Sequence, residues 1–162
     1  MADIVRERSV ATSADTRAFP AIFVGGLIAG VIDLAYAILV YNPQHPMRIA
    51  QSVASGLLGA DAYNGGIRTA ALGVLLHFTI ACGAATVFYL ASRKLRFLTE
   101  RPIVYGLIYG ALVYSFMHVV VLPLSAVHHG ASAPLVYQAS EFVEHWFGVG
   151  LPISLSVRHW AP

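Results

Sequence analysis

Six ionisable side chains interrupt otherwise apolar runs of this sequence: Asp33, His77, His118, Glu141, Glu144 and His145. An ionisable group costs several kcal/mol at mid-bilayer and rarely faces lipid, so residues of this kind inside apolar runs point to chemistry or to a buried polar network. Neutral imidazole is the commonest metal ligand. Three imidazoles, or two with a carboxylate, suit zinc, iron or copper. Glu141 and His145 are one helical turn apart and can point at one ion from a single helix. The metal-ligating set expected is therefore His77, His118, Glu141 and His145. Glu144, on the flank, and Asp33 are expected to act behind them, orienting a His N–H or handling protons.

Other chemistries fit the same residue types. Chains of Asp, Glu and His also serve proton relays and ion-coupled carriers. Haem held between two His is a further option, which three nearby carboxylates disfavour. A purely structural network, in which His–Asp and His–Glu hydrogen bonds fix helix register, needs no ligand at all. That version describes a non-catalytic accessory or assembly subunit.

The elements that must position these residues are apolar helices. Of 162 residues, 57% are hydrophobic and 11% charged, too few charges to cover a soluble globule. Mean hydropathy is +0.69. The net charge of +2 is spread over helix ends, so nucleic-acid binding has no footprint. A single cysteine, Cys82, excludes an intramolecular disulfide and a Cys-based zinc knuckle.

Four stretches meet the length needed to cross a bilayer: 18–41, 67–92, 102–124 and 136–157. They follow a polar leader, 1–17, so that 18–162 forms one membrane domain. The first run is long for a signal peptide and contains Asp33, which argues for an uncleaved anchor. The expected fold is an all-α antiparallel bundle of four transmembrane helices.

Arg6, Arg8, Arg17, Arg93, Lys94, Arg96, Arg101 and Arg158 fall on one side of that arrangement, Arg48 and Arg68 on the other. Eight basic residues against two put both termini in the cytoplasm of a bacterial inner membrane. The partners expected are the lipid bilayer and either further copies of the chain or a larger membrane complex.

In the first outer loop Ile49, Val53 and Leu57 recur four apart, which suggests a short amphipathic surface helix closed by Gly56 and Gly59. Gly65 and Gly66 then turn the chain into the second span. His128 and His129 belong to the second outer loop.

Counted from the outer end of each span at about 1.5 Å per residue, all six ionisable residues lie roughly 8–15 Å deep. Small residues share their faces: Gly26, Gly30 and Ala37 with Asp33; Gly73, Ala81 and Ala84 with His77; Gly148 and Pro152 with Glu141 and His145. Small residues mark close helix approach in membranes, so these ionisable groups face inward. His118 is turned about 80° or more from the Gly106–Gly110 pair, and reaches the centre only if that pair serves another neighbour. Pro123 and Pro152 are expected to end or kink their helices.

The motifs Leu76-His77-Phe78-Thr79-Ile80, Phe116-Met117-His118-Val119-Val120-Val121-Leu122-Pro123-Leu124 and Ser140-Glu141-Phe142-Val143-Glu144-His145-Trp146 resemble the YagU-like group of small bacterial inner-membrane proteins. The resemblance covers roughly residues 68–158. It implies a four-helix inner-membrane protein with His77, His118, Glu141 and His145 in the family pattern. It implies no particular chemistry.

Overall fold

The computed structural model describes residues 2–127 and 134–160, with side chains from residue 17 onward. The chain is helical almost throughout, and no strand occurs among the described residues. Helix α1 runs Ala2–Tyr41, α2 Pro46–Leu58, α3 Gly66–Ser92, α4 Phe97–Glu100 and α5 Pro102–Phe116. A π-helical segment, Met117–Val121, carries α5 into the short α6, Leu122–Leu124. After the second loop, α7 (Leu135–Glu144) passes through another π segment, His145–Gly150, into α8 (Leu151–Trp160).

Three helical stretches are long and apolar enough to cross a membrane: Arg17–Tyr41, Gly66–Ser92 and Pro102–Leu124. The fourth expected span corresponds to α7, its π segment and α8. Its helix is continuous, but Gln138, Ser140, Glu141, Glu144, Ser154, Ser156 and Arg158 make it more polar than the other three. His128 and His129 lie outside the described residues.

Local chemistry sets the element ends. Proline opens α2 and α5, where its missing N–H would have no helical partner anyway. Gly59 closes α2 with φ 61° and donates its N–H to the Ser55 carbonyl. Gly56, expected to share that role, instead lies within α2. Gly66 has φ 58°, so the expected turn into α3 uses the backbone freedom of glycine.

The two π segments have one visible cause. Pro123 and Pro152 have no N–H to donate, and each ring crowds the carbonyl one turn back. In both helices the leucine just before the proline bonds one residue further back than α-geometry allows: Leu122 to the Met117 carbonyl, Leu151 to the Trp146 carbonyl. The helices therefore continue past proline at the cost of a register shift. His118 and His145 both lie in the shifted segments.

Packing follows the small residues. Gly26 abuts the Cys82 backbone and Gly30 abuts Phe78 and Ala81, joining α1 to α3. Gly25 receives Ile153 and Ser156 of α8. Gly106 and Gly110 of α5 meet Gly150 and the His145 carbonyl so closely that no Cβ would fit. The Gly106–Gly110 pair thus serves the α7–α8 stretch, which frees His118 to face elsewhere.

Gly73, expected on the face of His77, packs instead against the backbone of Ala50 and Ala54 in α2. Small residues on both sides let these backbones touch, so Ala50, Gln51, Ala54 and Ser55 form the buried face of α2. Gln51 secures the joint by donating to the Gly66 carbonyl (3.1 Å) and Thr69 Oγ1 (3.3 Å).

The densest core lies where α1, α3 and α8 meet: Ala21, Ala29, Ala85, Phe88, Tyr89, Val149, Ile153 and Val157. Hydroxyls tie helices together there. Ser156 donates to the Ala21 carbonyl (3.0 Å), Ser154 to that of Pro102 (2.9 Å) and Tyr109 to that of Ala84 (2.7 Å).

Candidate metal centre and its cavity

Beyond that core the helices separate around a cavity of about 590 Å³. Its walls come from α1, α2, α3, the α5–α6 stretch and the α7 stretch, with Ile49, Val53 and Leu57 of α2 facing in. Asp33, His77, His118, Glu141 and His145 all reach the wall, so five of the six expected residues share one space. Glu144 lies behind it.

The six do not converge on one point. His77 Nε2 is 3.9 Å from Asp33 Oδ2, and His118 Nε2 is 3.9 Å from Glu141 Oε2. Among the described residues, the group whose ligand atoms come within 4.8 Å of one another is Asp33, Glu144 and His145. Of the four expected ligands this compact group includes only His145. Its other two members are the carboxylates expected to stand behind the ligands. His77, His118 and Glu141 instead form pairs along the cavity wall.

Glu144 owes its position to a glycine. Its carboxylate extends one turn along the helix over Gly148, where any Cβ would collide with it and with Ile32. The side chain is only 7% exposed. Its Oε2 is 3.0 Å from His145 Nδ1, yet neither carboxylate oxygen has a hydrogen-bond partner. The reason is that His145 Nδ1 bonds the Glu141 carbonyl, also at 3.0 Å. A carbonyl only accepts, so the ring proton is committed to it.

The same arrangement recurs at all three histidines. His77 Nε2 bonds the Gly30 carbonyl (2.8 Å), and His118 Nδ1 bonds the Tyr114 carbonyl (3.1 Å). In each, one ring nitrogen is the donor, and in the neutral ring the other keeps its lone pair. Metal-binding histidines are commonly oriented in this way, although a structural histidine can be too.

Tyrosines complete the surroundings. Tyr41 donates to Glu141 Oε2 (2.9 Å) and Tyr36 to Ser140 Oγ (2.6 Å), fastening the end of α1 to α7. The Tyr114 ring stacks on His118 at 4.1 Å between centroids and meets the His145 edge-on at 5.4 Å. Sequence alone singled out neither Tyr41 nor Tyr114. A signal existed: Tyr41 follows Asp33 by two turns, and Tyr114 precedes His118 by one.

No family model, no curated protein and no solved structure matches the chain.

Proposed function

We propose that the chain is a small integral protein of a bacterial inner membrane that binds a divalent transition metal between Asp33, Glu144 and one ring nitrogen of His145. The observation that carries this reading is the Glu144 carboxylate, almost fully buried, with neither oxygen hydrogen-bonded. A buried carboxylate without a hydrogen bond is costly, and a cation beside it lowers that cost. Two carboxylates and an imidazole suit zinc, iron or copper, and three protein ligands leave a coordination position open. His77, His118 and Glu141 are assigned to the adjoining cavity rather than to the ion itself.

The reading includes four antiparallel spans with both termini cytoplasmic. Two cross-loop contacts support the antiparallel order: the Ala126 N–H reaches the Gly56 carbonyl (2.8 Å) at one end, and Arg158 reaches the carbonyls of Thr99 and Glu100 (both 3.2 Å) at the other. The kinship with YagU-like proteins rests on the three motifs around His77, His118 and His145.

A second reading, an accessory subunit with a structural polar layer, is favoured by the interhelical bonds from His77 to Gly30 and from Tyr36 and Tyr41 to α7. Metal-dependent stability separates the two. Metal-stripped protein in detergent should melt several degrees higher with zinc, since a ligand at a hundred times its Kd adds about 2.7 kcal/mol. Glu144→Gln should abolish the shift and Glu141→Gln should keep it. No shift in the wild type with zinc, iron(II) or copper(II) would leave the accessory-subunit reading.

A further inference from the structure

We propose that the cavity is a binding site for a lipophilic primary amine, its ammonium group held between Glu141 and His118. The site uses neither Glu144 nor the ion beside it, so it stands or falls separately from the metal reading.

The argument begins with a pair of acceptors. His118 Nδ1 is committed to the Tyr114 carbonyl, which leaves Nε2 of the neutral ring with a lone pair. That lone pair lies 3.9 Å from Glu141 Oε2, a carboxylate oxygen already positioned by the Tyr41 hydroxyl at 2.9 Å. Two acceptors at this separation make no hydrogen bond with each other. A group with at least two donor hydrogens, seated beside both, satisfies them together. An ammonium has three. An alcohol has one and would leave an acceptor unanswered.

The surroundings select for charge and for an apolar tail. Among the described residues the wall carries Glu141, a carboxylate that the proposed ion does not use, and no Lys or Arg. In a low-dielectric space that balance favours a cation. Much of the remaining lining is apolar, with Leu34, Ile49, Val53, Leu57, Leu76 and Ile80. About 590 Å³ of largely apolar space with a few convergent polar groups is the usual form of a small-molecule site.

The test uses the full chain in detergent, with octylamine as probe and n-octanol as its uncharged counterpart, measured by equilibrium dialysis. Octylamine should bind saturably and octanol at least about tenfold more weakly, because the charge-assisted bonds are missing. Glu141→Gln should weaken octylamine about tenfold or more, the loss expected for an ionic hydrogen-bonded partner. Val53→Trp, which fills the cavity from α2, should weaken both probes. Three results would each overturn the proposal: no saturable octylamine binding, equal binding of octanol, or undiminished binding in Glu141→Gln or in Val53→Trp. If Glu141→Gln fails to fold, the octanol comparison and Val53→Trp carry the test.

Discussion

The two halves of this helical assembly are built on opposite rules. In the half holding Ala21, Phe88, Tyr89, Ile153 and Val157, helices approach to backbone contact, hydroxyls bond carbonyls across the gap and side chains are fully buried. In the other half, α1, α3 and the π segments stand apart around a cavity whose wall carries Asp33, His77, His118, Glu141 and His145, with Glu144 behind it. Similar apolar helices form both halves. What differs is where glycine permits contact and where proline shifts the register. Close packing on one side supports open space on the other, and the open side is where chemistry can occur.

That contrast can be broken from the closed side first. Gly110→Ala forces a methyl group into the His145 carbonyl and the Trp146 backbone, and should cost about 3 kcal/mol in reversible unfolding in mixed micelles. A change below about 0.5 kcal/mol, the range of an ordinary surface substitution, would mean that this contact is not tight. Phe88→Ala, at a residue 1% exposed, should cost about 2 kcal/mol. This is less than in a soluble core, because lipid solvates the unpacked ring as well as the protein does.

The hollow side should respond more mildly. Tyr41→Phe removes the hydroxyl that positions Glu141 and should cost about 1 kcal/mol in the same assay. Ala37→Leu adds bulk where the cavity has room and should shift stability by no more than about 0.5 kcal/mol. A loss near that of Gly110→Ala would show that the two halves are equally packed, and the contrast would fail.

Much of the hollow half was legible in the sequence. The agreement in depth among Asp33, His77, His118, Glu141 and His145 reflects the shared cavity wall, since rise per residue is insensitive to small changes in winding. The Ile49, Val53 and Leu57 stripe marked α2 correctly as a helix. It did not show which face would be buried, because backbone contact between Gly73 and Ala50 matters more there than the larger side chains.

The changes in winding were not legible in the spacing. A uniform period of 3.6 residues cannot anticipate π segments at His118 and His145, although Leu-Pro after each was a visible cause. Glu144 was expected on the flank as a partner of a histidine, and its Oε2 lies 3.0 Å from His145 Nδ1. Neighbours in sequence do not ordinarily face one another on a helix. The absent side chain at Gly148 lets this carboxylate extend one turn along the helix.

The central claim is that Glu144 is buried as a cation ligand. Its most direct test is the metal content of untagged protein, purified in mild detergent and reloaded after chelation, for the wild type and Glu144→Gln side by side. The account predicts about one zinc, iron or copper per wild-type chain, as a single closed His/carboxylate site requires, and none in the variant. Equal metal in both, or none in either after reloading, would contradict it.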